Sequence, residues 1–375
     1  MRNPNFERLR KILFLDGEPD YLPFYELFAD KEVMEAIVGE SRCSPRLRMD
    51  NDTRRYFESD DNLKVLQRYL AISIRFYHKL GYDYVPLVVP SLLVRDNQLT
   101  TVDTAELSRG ERTWQDEHRG VIESREDFEK YSWPDLDQIQ ESFLPLYKFV
   151  RDNLPEGMMI IGETPGGVLE NVMWLMGTIP FFRALYRDSA LLRRMFEKIG
   201  TIISFCSKLA SEMSMVGAFA MGDDMGYRTG PFMAPENYRK YVFPWQRRCV
   251  ESVHKHGKPF ILHSCGKLDI LMEDIIEYLK IDAKHSFEDS SYPVIEYKRK
   301  YGDRIAILGG VDMDKISRYS TTEIRGYVKE VIRECAPGGG YALGCGNSVA
   351  NYVKLENYLT MLDIGRRYGK YPLRI

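Results

Sequence analysis

The chain has 375 residues, 44% of them hydrophobic, and a formal net charge of −3 with both signs spread along the sequence. This length and hydrophobic content predict a large core, in one barrel-sized domain or in two smaller ones. The sequence has no basic block and no apolar span of membrane length, so we expect neither a nucleic-acid partner nor a membrane segment. Six cysteines without a dense spacing pattern, and a first segment without a signal-peptide core, predict a cytoplasmic protein.

The first 60 residues are polar and rich in turn-forming residues, with one helical patch near residues 25–38. We therefore expect residues 1–60 to form an N-terminal helical cap or arm. The main domain is predicted to span residues 61–375.

The main domain alternates between short apolar runs and helical patterns of a dozen or more residues. Its first helix starts near Asn62 and ends at Gly81, and the charged stretch 91–133 is predicted to be an irregular excursion. Strands are predicted at 84–89, 158–161, 218–221, 259–263, 281–287, 305–310 and 340–345. This alternation predicts an α/β fold with a parallel sheet, and seven strands with one missed fit a (β/α)8 TIM barrel better than an open sheet.

Two of the predicted strands end in potential metal ligands. His263 and Cys265 face the same side of a strand because they are two residues apart, and Cys345 ends a later strand between two glycines. One imidazole and two thiolates with an open fourth position are typical of catalytic zinc sites, so these residues predict a zinc centre. The alternative is that each is a buried core residue. His285 is interpreted as a core histidine, with a position behind the metal ligands as the alternative.

Further polar residues follow the predicted strands at the end where barrel active sites lie. Glu163 and Asp223 are predicted to be catalytic and to orient or protonate a substrate. Asp224, Tyr227 and Arg228 are predicted to bind the substrate, and one of the three carboxylates is a candidate fourth metal ligand. Two alternatives stay open: the aspartate pair also fits a turn, and Arg228 also fits a solvated surface residue.

Three glycine-bearing turns at strand ends carry a resemblance to a known family. They are residues 161–167 (Ile-Gly-Glu-Thr-Pro-Gly-Gly), 308–312 (Leu-Gly-Gly-Val-Asp) and 343–346 (Leu-Gly-Cys-Gly). In these turns the chain resembles the uroporphyrinogen decarboxylase superfamily. The resemblance extends over residues 60–370 and implies a (β/α)8 barrel.

The chain departs from the decarboxylases of that superfamily in two places. Those enzymes hold the carboxylates of a porphyrin with an arginine-rich N-terminal motif, whereas residues 14–23 here are acidic and contain no arginine. We expect such a stretch to repel a polyanionic substrate. His263, Cys265 and Cys345 also match the zinc ligands of another branch, the methyltransferases that move a methyl group between a corrinoid protein and a small molecule.

The resemblance therefore implies a zinc-dependent methyltransferase with Zn²⁺ and a corrinoid as cofactors. The corrinoid is expected on a partner protein, the methyl donor or acceptor is a small molecule, and a homodimer is one expected assembly. Two other functions stay open. One is a decarboxylase of a small or porphyrin-like acid, which needs no metal, and the other is a non-catalytic corrinoid- or metal-binding accessory protein.

Overall fold

The structure of the protein is a computed structural model that describes residues 3–40, 60–95, 98–116 and 118–374. Its strands are β1 (Tyr84–Val88), β2 (Gln98–Val102), β3 (Glu111–Gln115), β4 (Met159–Thr164), β5 (Val216–Gly222), β6 (Gly226–Tyr227), β7 (Gly230–Pro231), β8 (Phe260–His263), β9 (Ala283–His285), β10 (Ala306–Leu308) and β11 (Tyr341–Ala342).

Its helices precede, connect and follow these strands in α/β alternation. They are α1 (Glu7–Leu13), α2 (Lys31–Val38), α3 (Asp60–Leu80), α4 (Arg125–Lys130), α5 (Leu136–Asn153), α6 (Val168–Met176), α7 (Thr178–Arg187), α8 (Ser189–Glu212), α9 (Pro235–Asn237), α10 (Phe243–His254), α11 (Val294–Tyr301), α12 (Met313–Arg318), α13 (Thr321–Cys335) and α14 (Leu355–Tyr368).

Seven strands form one curled parallel sheet in the order β1-β4-β5-β8-β9-β10-β11. Each of these strands lies within, or within three residues of, a strand predicted from the sequence, so the α/β fold and the parallel sheet are confirmed. The sheet strands are almost wholly buried because helices cover one face and the opposite face lines the interior. No helix of the described ranges combines the length and apolar character needed to cross a bilayer.

The register fixes which side chains of the sheet point inward. A Cβ on Gly162 of β4 would lie 2.9 Å from Ala210 of α8, so Gly162 faces the helical layer. The next residue, Glu163, therefore points to the interior, because successive side chains in a strand alternate. Glu163 is level with Ala220 of β5, and His263 is level with Gly222 two residues further on. Glu163 and His263 consequently share the interior face of the sheet.

The N-terminal segment has two short helices, α1 and α2, where the sequence predicted one helical patch near residues 25–38. Helix α2 begins only at Lys31, and residues 41–59 lie outside the described residues. Before α2 the chain is extended and runs beside the end of β11: the N–H of Tyr25 donates to the Leu343 carbonyl and the N–H of Leu343 to that of Pro23, both at 2.9 Å. This part of the N-terminal segment thus lies along one edge of the sheet.

The acidic stretch that was expected to face a substrate lies at the other end of the sheet. Asp20 is paired with Arg8 at 2.6 Å, and Arg8 also contacts Asp83, which directly precedes β1. Glu18 accepts the N–H of Gly338, just before β11. These acids are held at the amino-terminal ends of the strands, so they cannot select the substrate at the carboxyl-terminal ends.

The stretch 91–133 is more regular than the sequence predicted. It contains the antiparallel pair β2–β3 and the short helix α4, whose N-terminal residue Ser124 accepts the N–H of Asp127. The hairpin is tied to the segment after β11, because Asn351 donates to Asp103 at 2.7 Å.

Candidate metal centre

The end of β8 brings three potential metal ligands together. Donor atoms of Asp224, His263 and Cys265 all lie within 4.8 Å of one another. The His263 Nε2 atom is 3.5 Å from Cys265 Sγ and 3.7 Å from Asp224 Oδ1, and the N–H of Cys265 donates to the same Oδ1 at 2.8 Å. A carboxylate, an imidazole and a thiol at these separations form a donor set that fits zinc.

The two histidines fix which nitrogen of His263 is available. His285 Nε2 lies 3.1 Å from the Cys345 carbonyl, which can only accept, so this nitrogen carries the proton. Burial lowers the pKa of His263 to about 3 and that of His285 well below its ordinary value, so both rings are neutral. The His285 Nδ1 atom is therefore an acceptor for His263 Nδ1–H, 2.7 Å away. The His263 Nε2 atom therefore carries a free lone pair, which points to Cys265 and Asp224.

We expect His285→Phe to lower zinc affinity about 10- to 100-fold, as loss of an outer partner of a metal-bound histidine does. Phenylalanine retains a ring next to Tyr25, whose centroid is 5.2 Å from that of His285, but it cannot accept the His263 proton. Zinc affinity measured by competition with a chelator checks this result. His254→Phe, on α10, is the matched control. Equal zinc affinities of the two variants would contradict the role of His285 as acceptor of the His263 proton.

A buried lysine supports the loop that carries these ligands. Lys284 is 0% exposed, and its Nζ donates to the carbonyls of Ser264, His285 and Ser286 at 3.3, 3.4 and 2.8 Å. Burial lowers the pKa of Lys284 to about 8. Since Ser264 lies between two ligands, the three hydrogen bonds fix the backbone from which His263 and Cys265 project.

Cys265 has polar partners on its sulfur atom. The Ser286 hydroxyl and the Asn347 side-chain amide each donate to Cys265 Sγ at 3.4 Å. Burial, followed by the nearby Asp224 carboxylate, raises the pKa of the thiol. A cation at the donor group would reverse that balance, because hydrogen bonds and positive charge both favour a thiolate.

The Cys345 thiol is not part of this donor group and makes a hydrogen bond with the side chain of Glu26. Cys345 is fully buried, and its N–H lies 3.1 Å from both carboxyl oxygens of Glu26. The group of donor atoms within 4.8 Å contains Asp224 and does not include Cys345. β11 ends at Ala342, so strand alternation does not extend to Cys345 and the sequence pattern could not fix its direction. Its role as a zinc ligand stays a prediction.

Asp223 caps a helix. Its carboxylate accepts the backbone N–H groups of Val168, Leu169 and Glu170 at 3.0, 3.2 and 2.9 Å, and the amide of Gln246 at 2.7 Å. Asp223 is 0% exposed, and burial raises its pKa to about 6. The carboxylate oxygens of Asp223 are thus occupied by hydrogen bonds from the start of α6 and from Gln246. A catalytic role for Asp223 stays a prediction.

The approach of Asp223 to α6 depends on a glycine. A Cβ at Gly167 would lie 2.3 Å from the Asp223 side chain, so only glycine leaves room for the carboxylate to reach the helix start. The contact joins the end of β5 to the helix after β4.

Glu163 is isolated in the interior. It is 7% exposed, and its Oε1 has no hydrogen-bond partner. Burial raises its pKa well above the usual range. A carboxyl group in these surroundings is held neutral and can donate a proton. The structure places it on the same face as His263, as predicted, and its catalytic role stays a prediction.

A cavity of about 320 Å³ opens beside the metal ligands. Both Asp224 and Cys265 line it, and so do the predicted substrate residues Tyr227 and Arg228, which are exposed on the β6–β7 hairpin. The structure thus brings together the metal group and the three residues predicted to bind substrate. Its remaining lining residues are Glu170, Met173, Trp174, Thr178, Gly226, Phe232, Gly266 and Glu288.

Sequence reasoning missed several of the residues that build this site. Glu170 and Trp174 follow a predicted strand-to-helix turn and could have been found from that position alone. His285 is fully buried, as the core interpretation expected, and its contact with His263 fits the alternative of a residue behind the metal ligands. The contact of Glu26 with Cys345 could not be predicted, because Glu26 lies in the segment that was assigned to the N-terminal cap.

The fold and the site together define a parallel α/β protein with a candidate metal centre at the carboxyl ends of its strands. The family model for uroporphyrinogen decarboxylase (URO-D) matches residues 112–368, and the chain belongs to this family. The family predicted from the three glycine-bearing turns is confirmed. No curated protein sequence matches the chain.

The fold of the chain is similar to that of a solved structure. A methyltransferase from Methanosarcina mazei superposes with a TM-score of 0.67 at 16% identity, over 98% of this chain and 99% of that chain. A structure of the pneumococcal virulence factor StrH gives 0.38 at 11% identity, over 83% and 81% of the two chains. A sugar phosphate isomerase/epimerase from Parabacteroides distasonis gives 0.32 at 13% identity, over 85% and 92%. The first likeness supports the fold along the whole chain.

Proposed function

We propose that the protein is a zinc-dependent methyltransferase that moves a methyl group between a corrinoid, carried by a partner protein, and a small molecule. The observation that carries the proposal is the Asp224–His263–Cys265 group, which opens into a cavity at the carboxyl end of the sheet. Membership of the URO-D family and the fold of the Methanosarcina mazei methyltransferase support it.

The residues of the site have separate tasks in this proposal. His263 Nε2, Cys265 Sγ and Asp224 would hold the metal, with Cys345 as a further ligand if its thiol turns away from Glu26. Bound zinc lowers the pKa of a thiol or water at its open position. His285 sets the tautomer of His263, and Lys284 holds the ligand loop through backbone carbonyls.

The remaining polar residues would act on the substrate or position groups that do. Tyr227 and Arg228 lie at the open side of the cavity and would contact the incoming molecule. Glu163, neutral in the interior, would supply a proton, and Asp223 would hold α6 and its Glu170 against the cavity.

We also infer that the sheet closes into a (β/α)8 barrel with residues 23–26 in the eighth position. Tyr25 and Pro23 are bound to Leu343 on one side. On the other side, the Tyr84 hydroxyl of β1 accepts the N–H of Glu26 at 2.8 Å and donates to its carbonyl at 2.5 Å. A cytoplasmic location and assembly as a homodimer complete the proposal.

The family match favours decarboxylation as a second candidate function. A porphyrin substrate is disfavoured because three acidic residues line the cavity and would repel a polyanion: Glu170, Asp224 and Glu288. A decarboxylase of this type needs no metal, so the Asp224–His263–Cys265 group would have no role in its reaction. Metal content and product analysis separate the two reactions.

The test is demethylation of methylcobalamin, free or bound to a corrinoid protein, under anaerobic conditions with a panel of thiols and a reduced pterin. We expect the absorbance of the methylated corrinoid to be replaced by that of the reduced form. A chelator should abolish the change and zinc should restore it. No change with any acceptor, together with carbon dioxide release from uroporphyrinogen, would establish the decarboxylase instead.

A further inference from the structure

One face of α6 forms a wall of the cavity next to the metal ligands. Glu170, Met173 and Trp174 all line the cavity, and they share a helix face because they are three and four residues apart. Asp223 fixes this face through its hydrogen bonds to the helix start. The position of Glu170 is therefore fixed by the contact between α6 and Asp223.

The carboxylates in the wall have no cation of their own within ion-pair distance. In the part of the chain that the structure describes, neither Glu170 nor Glu288 forms an ion pair, and the one side-chain contact of Glu170 is the N–H of Gly167 at 3.4 Å. Both are half-buried, and burial raises the pKa of each. A positively charged ligand would favour the ionised form of both carboxyl groups and so offset the desolvation cost that raises their pKa values.

Aromatic rings complete the wall. Tyr227 and Phe232 form an edge-to-face pair with centroids 4.6 Å apart across the β6–β7 hairpin, and both line the cavity together with Trp174. One face of Trp174 is covered by the guanidinium of Arg95 at 4.1 Å, so this ring already holds a cation. Carboxylates combined with aromatic faces are the surroundings in which ammonium groups bind.

Three carboxylates line the cavity, those of Glu170, Asp224 and Glu288, and the charge of bound zinc would be matched by Asp224 and the Cys265 thiolate. Behind the wall, the guanidinium of Arg95 acts on Glu170 and offsets part of its charge. Arg228 is the one basic residue that lines the cavity among the described residues, and it is exposed to water. A solvated charge acts more weakly than a half-buried one, because water screens it.

We propose that the small molecule that exchanges a methyl group in this cavity carries a positive charge, as an ammonium or methylated ammonium group. Glu170 and Glu288 would neutralise the charge, and Tyr227, Phe232 and Trp174 would surround its apolar part. This inference rests on the methyltransferase function proposed above and specifies its substrate class. It also predicts that anionic acceptors bind poorly.

The experiment separates binding from turnover. Calorimetry with tetramethylammonium on the zinc-loaded protein, without corrinoid, should give saturable binding that is weakened about tenfold in both Glu170→Gln and Glu288→Gln. Glu156→Gln, exposed at the amino ends of the strands, is the matched control and should bind as the unsubstituted protein does. No binding, or binding that is unchanged in both cavity variants, would overturn the inference.

Three thiols that differ only in their terminal group then test the preference in turnover. With methylcobalamin as donor, 2-aminoethanethiol should be methylated at least about tenfold faster than 2-mercaptoethanesulfonate, with 2-mercaptoethanol between them. Methylation of the sulfonate at an equal or higher rate would reject the cationic substrate and leave the methyltransferase intact. Cation binding without methylation of any thiol would retain the cation site and reject the methyltransferase.

Discussion

Replacement of Cys265 by serine should lower the zinc affinity of the protein about a hundredfold and abolish methyl transfer. Zinc sites in small proteins are worth on the order of 12 kcal/mol, so one of four ligands accounts for roughly 3 kcal/mol. The hydrophobic core around the sheet does not depend on the metal group, so the melting temperature of the metal-free variant should stay close to that of the unsubstituted protein. Metal analysis after dialysis against a weak chelator measures the effect.

The same measurement decides between the other candidate ligands. Asp224→Asn should lower zinc affinity if the group of donors seen in the structure is the metal site. Cys345→Ser should do so only if the Cys345 thiol leaves Glu26. Cys335→Ser, buried at the end of α13, is the control and should retain full occupancy. Full zinc content in the Cys265 variant would reject the centre altogether.

Asp223→Ala should destabilise the protein by about 3 to 5 kcal/mol. The substitution leaves three backbone N–H groups buried without this acceptor, each at a cost of about 1–3 kcal/mol, and leaves the Gln246 amide with only the weak Met225 sulfur acceptor at 3.7 Å. Urea unfolding measures the loss. Ser320→Ala, which removes the N-cap of α13, is the matched control and should cost about 1 kcal/mol, because Ser320 serves one backbone N–H in an exposed position.

The stability measurement also tests the catalytic role that the sequence suggested for Asp223. If Asp223 acts by holding α6, Asp223→Asn should weaken cation binding and turnover in parallel with its loss of stability. If Asp223 reacts with the substrate, Asp223→Asn should reduce turnover and leave stability and cation binding near their original values. A stable, inactive Asp223→Asn variant would therefore contradict the capping interpretation.

The strands were predictable because each is a short apolar run between helical patterns. Burial on both faces requires such runs, and turn residues mark their ends. The ends of the strands then indicated where the site lies. Asp224, Cys265 and Tyr227 were selected from their positions and line one cavity, and His263 lies beside the first two.

Other features of the site followed from contacts between distant segments. Glu26 lies 319 residues from Cys345 in sequence and binds its N–H, which no local pattern reveals. The two aspartates after β5 are adjacent in sequence, yet Asp223 turns to the start of α6 and Asp224 to the metal group. Neighbouring residues beyond a strand end have no shared periodicity, so their directions depend on the packing of the turn.

The sequence by itself determined the parallel α/β fold, the family, and the end of the sheet at which the chemistry is placed. Periodic burial and strand-end motifs are local properties. They can be predicted from the sequence because helix and strand geometry sets the spacing of buried side chains. The tertiary structure alone placed the Asp224 carboxylate beside His263 and Cys265, and showed that His285 sets the tautomer of His263. It also placed the acidic stretch before β1 far from the site. These features depend on distances of a few ångströms between residues far apart in the chain, and such distances are fixed only when the whole sheet is assembled.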